Sequence, residues 1–271
     1  MIFLTLEYDQ PVTNRSEKKR KQAQEAGLRS AATPRELAET ADVIIVMVTN
    51  PAAVNAVLSG KDGLLSADIK GKSLIQMSTL DEPSTLAFAK LAQQHQLKFL
   101  DCPVAGSKAQ ATQAQLILLA GGETPVLEEN RELLMTVGKT IVHAGGIGKG
   151  TALKLCMNLI VAQMTTALCE SVALARVQDI DPIKIFDVIR NSPAINCGYF
   201  QIKEKTLLEE NFAPAFSLAN MLKDVRFMDA AAQQKHLTLP VTRAVRTLME
   251  NAFAQGLGEE DLMSIVKTLK V

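Results

Sequence analysis

The chain has 271 residues, with 29 basic and 29 acidic side chains and a formal net charge of zero. That length allows one large domain or two smaller ones, and the even charge argues against nucleic acid or an anionic membrane as the main partner. Four widely spaced cysteines (Cys102, Cys156, Cys169 and Cys197) form no C-x-x-C pair, which argues against a metal or disulfide framework and fits a reducing compartment. No basic-then-apolar leader opens the printed sequence, so a cytoplasmic location is expected.

In the first half, short apolar strands alternate with helical stretches. Asp42 to Val48 is a β-branched run of strand length ending at Thr49-Asn50-Pro51, where Asn50 reads as an N-cap and Pro51 as the first helical residue. Ser73 to Met77 is the next strand, followed by Ser78-Thr79 and a helix beginning near Pro83. Lys98 to Cys102, Gln115 to Ala120 and Thr140 to His143 supply three more. Continuous apolar strands between helices imply an α/β domain whose parallel sheet is covered on both faces.

From Gly150 onward only helical periodicity is found, punctuated by Asp181-Pro182, Ser192-Pro193, Ala213-Pro214 and Leu239-Pro240. Two domains are therefore expected: a strand-containing one over 1–147 and an all-helical one over 148–271. A long helix starting near Gly148 would link them, its first turns facing the cleft. The apolar run from Leu155 to Ala175 contains Asn158, Gln163, two threonines and Glu170. It reads as a buried core helix rather than a membrane span.

The stretch Gly145 to Asn158 is the richest in chemistry. A glycine-rich turn enters an apolar helix carrying Lys154 and Asn158, four apart and so on one face. An ammonium on an apolar stripe is costly to bury without a partner, and a proton donor in a cleft explains it. Three strand ends also stand out, because open α/β sheets bind ligands beyond the carboxyl ends of their strands. They are Val48-Thr49-Asn50-Pro51, Met77-Ser78-Thr79 and Asp101 to Ser107; each also reads as an ordinary cap or turn. Lys223-Asp224 follows an apolar stretch and by itself reads as a solvated helix edge. His95, His143 and His236 have no partner motif and read as structural or surface residues.

Taken together, these segments resemble the β-hydroxyacid dehydrogenases. Asp101-Cys102-Pro103-Val104-Ala105-Gly106-Ser107 is similar to that family's D-x-P-V-S-G-[GS] substrate loop. Gly146 to Asn158 resembles its G-x-G-x-x-x-K-x-x-x-N signature, and Phe212-x-Pro214-x-Phe216 to Lys223-Asp224 its F-x-P-x-F…K-D segment. Asn14-Arg15 resembles the N-R after the second strand of the dinucleotide-binding domain, which places that strand at Gln10 to Thr13. The resemblance spans nearly the whole chain. It implies a Rossmann-like domain followed by an all-α dimerisation and substrate domain.

The activity implied is reversible hydride transfer between NAD(P)H and a small hydroxy acid, semialdehyde or 2-oxo acid. Lys154 would donate a proton to the substrate carbonyl oxygen, with Asn158 holding substrate or Lys154. Backbone N–H groups around Gly106 and Ser107, beside Ala105, would receive the substrate carboxylate. Thr79 would lie near nicotinamide or substrate, and Lys223 would close the site with Asp224 beside it. Asn14, Arg15, Val48, Thr49 and Asn50 would line the cofactor. Arg15 stands where a ribose 2′-phosphate would lie and the usual ribose-binding acid is absent there, which favours NADP over NAD. No metal site is expected. A homodimer or homotetramer is expected through the helical domain, whose helix over 150–178 is too apolar to be half exposed.

Two departures carry weight. Ala105 stands where the family usually has Ser, and Gly106-Ser107 leans toward the glyoxylate and succinic semialdehyde branch. At the front, no glycine occurs before Gly27, so the first strand and its phosphate-binding turn are expected to be missing from the sequence as printed, through a misassigned start or a natural truncation. Met1 to Gln10 would be the tail of the first helix, or Ile2 to Leu6 a replacement strand. Weak dinucleotide binding follows as an expectation. A cofactor-free interaction or scaffold protein on the same fold is the alternative. Imine reduction fits less well, because those enzymes generally place another residue where Lys154 stands.

Overall fold

The structure is a computed structural model that describes residues 10–269; the readings made for Met1 to Asp9 lie outside the described residues. The chain divides into two compact units, Met1–Lys154 and Leu155–Val271. This division falls inside the long helix, whose first turn is bonded into the first unit.

The first unit opens with β1 (Pro11–Val12), α1 (Glu17–Glu25), β2 (Arg29–Ser30) and α2 (Pro34–Thr40). It continues with β3 (Val43–Val46), α3 (Pro51–Ser59), β4 (Ser73–Gln76), α4 (Glu82–Gln94) and β5 (Lys98–Asp101). Then come β6 (Val104–Ala105), α5 (Lys108–Thr112), β7 (Leu116–Gly121), α6 (Thr124–Glu129), α7 (Arg131–Met135) and β8 (Gly138–Gly145). Three of these helices start where the sequence supplies a cap. Thr33, Asn50 and Asp81 each accept the N–H three residues on, with proline in the first turn of each helix.

Strands β3, β4 and β5 run parallel, with Val46 opposite Gln76 and Gln76 opposite Asp101. Their carboxyl ends therefore share one edge. Among the described residues, β1 and β2 form a separate parallel pair. The sheet is not parallel throughout: β7 runs antiparallel to β5 and β6, then pairs parallel with β8. The reason is length. Between β6 and β7 the chain has only the five-residue α5, too short for the crossover that a parallel return requires, whereas α6 and α7 provide one before β8.

Alternation along the strands divides the core in two. Ile44, Val46, Leu74 and Phe99 belong to one cluster with Phe88 of α4. Ile75, Leu100 and Leu118 belong to the other, with Leu127 and Leu134 of α6 and α7. Each such fully buried aliphatic side chain contributes about 1.5–3 kcal/mol.

The second unit is helical, with one isolated bridge between Ser217 and Asp261. It contains most of the 29-residue α8 (Lys149–Val177), then α9 (Ile183–Asn191), α10 (Gly198–Leu208), α11 (Leu218–Gln234), α12 (Pro240–Ala254) and a 3-10 segment, Leu262–Thr268. Leu155, Ala162, Leu168, Cys169 and Val172 of α8 enter a core with Phe186, Met221, Val225, Met249 and Met263. The helix is not buried all round: Met157, Ile160, Leu174 and Val177 stay exposed within the chain. By length and composition alone α8 could cross a membrane.

Candidate active site

The strand ends singled out in the sequence lie along one edge of the first unit. After β3, the N–H of Val48 donates to the Ser78 hydroxyl at 2.9 Å, tying that strand end to the one after β4. Ser78 is held in turn by Gln76, whose carboxamide accepts the Ser78 N–H and donates to its carbonyl. Half-buried Thr79 follows this fixed residue directly. Thr49 and Asn50 are exposed, and the Asn50 side chain caps α3 through the Ala53 N–H at 2.8 Å.

Beyond β5 the backbone continues along β7. Asp101 faces Gly121, Val104 faces Leu118, Ala105 faces Ile117, and the Leu119 N–H donates to Pro103 at 2.9 Å. The presumed loop is thus an extended segment pinned to a strand. It ends at Gly106, whose φ of 139° is one that residues with a side chain rarely adopt. Ser107 then caps α5. Its N–H donates to the Gln110 side-chain oxygen at 2.7 Å, and its hydroxyl donates to the same atom. A carboxylate arriving at the Ser107 N–H would replace that oxygen.

The glycine-rich turn places the start of α8 against these strand ends. Buried Asp101 accepts the N–H of Gly148 at 2.8 Å on one carboxylate oxygen and that of Thr151 at 2.7 Å on the other. Burial pushes its carboxyl up to about 6, against the pull of these donors. Contact is close enough to require glycine at two positions. A Cβ on Gly150 would lie 2.2 Å from the Leu119 oxygen, and one on Gly121 would lie 2.6 Å from the Gly150 nitrogen. From α4, Thr85 shares a buried 3.0 Å hydroxyl bond with Thr151, and Glu82 pairs with Lys149 at 2.8 Å. One helical turn therefore meets the segments that follow both β4 and β5. Lys154, half-buried, is the next turn.

In the second unit, Asn158, Lys223 and Asp224 meet. The Asn158 amide donates to one oxygen of Asp224 at 2.7 Å, and the Lys223 ammonium to the other at 2.7 Å. Asp224 is 1 % exposed, so the Lys-Asp pair is not a solvated helix edge. Lys223 also lies 5.0 Å from the centre of the Phe227 ring. With its nitrogen committed to Asp224, Asn158 turns its amide oxygen away from Asp224.

Sequence reading gave Asp101 no role of its own beyond opening the substrate-loop motif, and did not single out Gln110 or the buried pair Lys203–Asp261. The Lys203 ammonium reaches both Asp261 oxygens at 2.8 Å. Asp261 also accepts the N–H of Ala215 at 3.2 Å and that of Met263 at 3.1 Å, which explains the Phe212-x-Pro214-x-Phe216 motif as an anchored lead into α11. The one local signal for it was an aspartate ahead of an apolar run. His143 bonds the Gly122 carbonyl oxygen at 2.9 Å, and His95 and His236 are exposed.

For a nicotinamide dinucleotide, the donor chemistry of the described residues fits in part. At the end of β1, the Asn14 side chain accepts the Ser16 N–H at 2.9 Å, so it shapes the turn that leaves Arg15 exposed. Arg20 braces that turn through the Asn14 carbonyl oxygen, and the nearest acid, Glu17, pairs with Lys21 at 3.1 Å. A 2′-phosphate would find cations here. The strand ends at 48–50 and 78–79 supply the open edge where a dinucleotide lies in this architecture. A glycine-rich turn for the pyrophosphate is not among the described residues.

A dinucleotide-binding sheet domain followed by a helical unit, with one lysine and one asparagine a turn apart on the helix that joins them, defines a nicotinamide-dependent oxidoreductase. The comparisons agree. Residues 3–146 match the NAD binding domain of 6-phosphogluconate dehydrogenase, and residues 148–269 match the NAD-binding domain of NADP-dependent 3-hydroxyisobutyrate dehydrogenase. The chain belongs to the β-hydroxyacid dehydrogenase family, whose cofactor is a nicotinamide dinucleotide and whose substrates are small hydroxy acids.

Among curated relatives, the chloroplastic glyoxylate/succinic semialdehyde reductase 2 of Arabidopsis thaliana is 29 % identical over 97 % of this chain and 73 % of its own. The cytokine-like nuclear factor N-PAC of Drosophila melanogaster is 29 % identical over 94 % of this chain and 42 % of its own. In fold, the chain is similar to the crystal structure of a Salmonella typhimurium 3-hydroxyisobutyrate dehydrogenase. The TM-score is 0.88 at 22 % identity, covering 96 % of this chain and 91 % of that one.

Proposed function

We propose that this chain is an NADP(H)-dependent reductase of a small aldehyde or keto acid, of the glyoxylate or succinic semialdehyde kind, with Lys154 as general acid. The observation that carries this reading is the first turn of α8, bonded to Glu82 and Thr85 of α4 and to Asp101 at the end of β5 and followed directly by Lys154. When bound, the reduced nicotinamide supplies the hydride. The Lys154 ammonium hydrogen-bonds the carbonyl oxygen and gives up its proton as negative charge develops there; in the oxidative direction the neutral amine takes the proton back. Asn158, its amide nitrogen held by Asp224, presents an oxygen to the ammonium or the substrate hydroxyl.

The segment Ala105-Gly106-Ser107 receives the substrate carboxylate, with Thr79 beside the reacting groups. Lys223 supplies a second cation for substrate or cofactor, with Asp224 beside it. Arg15 meets the 2′-phosphate, with Asn14 shaping its turn and Val48, Thr49 and Asn50 along the cofactor. The exposed Met157, Ile160 and Leu174 of α8 support a homodimer or homotetramer formed through the helical unit, which light scattering would test.

NADPH consumption with glyoxylate and with succinic semialdehyde tests the reading. Lys154→Ala should keep NADPH binding and lower kcat by about 10²-fold or more; an unchanged kcat sinks the acid role. Arg15→Ala should narrow the preference for NADPH over NADH, and an unchanged ratio removes the phosphate assignment. The likeness to N-PAC favours a second reading: a cofactor-free interaction protein. A folded chain that shows no NADPH fluorescence change at millimolar concentration would select it.

A further inference from the structure

We propose that Asp101 is a positioning residue that keeps Lys154 in register with the substrate segment Pro103–Ser107. This deepens the reading above and rests on its assignment of Lys154 and of that segment. The geometry is specific. Asp101 is the last residue of β5, and the segment leaves it immediately. Its two carboxylate oxygens take separate N–H groups, those of Gly148 and Thr151, at 2.8 and 2.7 Å. These two belong to the set of helix-start donors left without intrahelical acceptors. One side chain thus fixes both the tilt and the rotation of the first turn, and Lys154 follows Thr151 by about one turn. A single bond would leave the helix free to roll about it.

Three further features fit positioning better than ordinary capping. The carboxylate is fully buried, and the ammonium of Lys149, on the first turn of α8, is turned to Glu82. Keeping an anion there is expensive, whereas Ser, Thr or Asn would cap a helix at lower cost. Gly121 and Gly150 carry no side chain at the contact, and a Cβ on Gly121 would lie 2.5 Å from an Asp101 carboxylate oxygen. The cap also comes from another strand and not from the residue ahead of the helix, so it transmits the position of the sheet to α8. Reacting groups need placement to a fraction of an ångström, and an error of about 1 Å costs on the order of 10²-fold in rate.

The test compares the full chain with Asp101→Asn, which keeps one acceptor oxygen and turns an N–H₂ toward the other donor. Leu134→Val, in α7 and part of neither the site nor the α8 contact, is the control for lost stability. Crystal structures of the parent and Asp101→Asn should show Lys154 displaced by about 1 Å relative to Ala105. Amide hydrogen exchange at Gly148 and Thr151 should be at least about tenfold faster in Asp101→Asn and unchanged in Leu134→Val. With NADPH and the accepted acid, kcat should fall by about 10–100-fold while the KM for NADPH stays within about threefold; Leu134→Val should keep the parental kcat.

Superimposable structures with unchanged exchange overturn the proposal. So does a variant whose helix start loosens but whose kcat is parental. If the parent itself reduces neither acid, the functional reading fails, and the structural and exchange arms still decide whether Asp101 sets the place of Lys154. Should Asp101→Asn not fold, exchange in the parent decides. Protection at Gly148 and Thr151 equal to that of the strand interiors supports the lock, and exchange as fast as at helix ends bonded only to water overturns it.

Discussion

The two units hold their candidate site residues by different means. In the first, side-chain carboxylate meets backbone: Asp101 takes two N–H groups from a glycine-rich turn, and glycines lie where the chain segments touch. In the second, side chain meets side chain: Asn158 and Lys223 converge on Asp224. A backbone contact without intervening side chains has no slack, because any added atom must move a strand or a helix. A side-chain trio can re-form around a substitution by turning a rotamer. The first unit should therefore fail abruptly and the second by degrees.

The largest expected effect tests the first half of that contrast. In Gly150→Ala the new methyl would lie 2.2 Å from the Leu119 oxygen and 2.6 Å from the Asp101 oxygen, both backbone atoms that cannot swing aside. A loss of about 3 kcal/mol or more is expected, read as a shifted midpoint in urea denaturation or as insoluble protein. Gly146→Ala, four residues earlier in the same turn, meets nothing within 4 Å and should change stability by less than about 0.5 kcal/mol. Equal behaviour of the two variants would show that the turn tolerates bulk.

Next in size is a dependence on pH confined to the first unit. The Asp101 carboxyl is raised from 3.8 to about 6 by burial. A raised carboxyl favours the proton-bound folded state, so its stabilising contribution is complete below 3.8 and is lost as pH climbs through 6. Stability should fall by on the order of 2–3 kcal/mol between pH 4 and pH 7. The carboxylates held down by arginines, Glu250 and Asp229 by Arg246 above all, act in the opposite sense and below their ordinary values. Thermal melts from pH 4.5 to 7.5 should show the slope, and Asp101→Asn should flatten it. A parental slope in that variant would assign the titration to another group.

What was legible in the sequence follows the same division. The strand at 43–46 was visible because a β-branched run ends at Asn50-Pro51, and the one at 73–76 because an apolar run leads to a helix near Pro83, where capping is local chemistry; 98–101 showed only as a short apolar run after a helix. The likeness of Gly146 to Asn158 to a known signature placed Lys154 and Asn158 a turn apart, since helix geometry alone decides that. The reversal of β7 was not legible. It depends on Asp101 to Ala105 lying along Ile117 to Gly121, and no period in either segment encodes that pairing. Nor was the role of Asp101, whose partners are 47 and 50 residues away. Ser107 looked like an open N–H donor until Gln110 was seen bonded to it. Asp224 looked solvated because burial depends on what packs over α11, and a helix-surface pattern does not specify that.

The smallest expected effect tests the second half of the contrast. Asp224→Ala removes the acceptor shared by Asn158 and Lys223. The usual cost of breaking a buried ion pair is about 3–5 kcal/mol, but it is incurred when the remaining charge stays dry. Lys223 keeps 22 % of its side chain exposed and lies over the Phe227 ring, so its ammonium can turn to water. What stays buried is the amide of Asn158, 4 % exposed, and leaving one such group short of a partner costs about 1–3 kcal/mol. A loss near 1–2 kcal/mol in urea denaturation is therefore expected, with Asp224→Asn losing less because it retains an acceptor. Should Asp224→Ala cost as much as Gly150→Ala, the trio is as rigid as the glycine contact and the contrast between the two units does not hold.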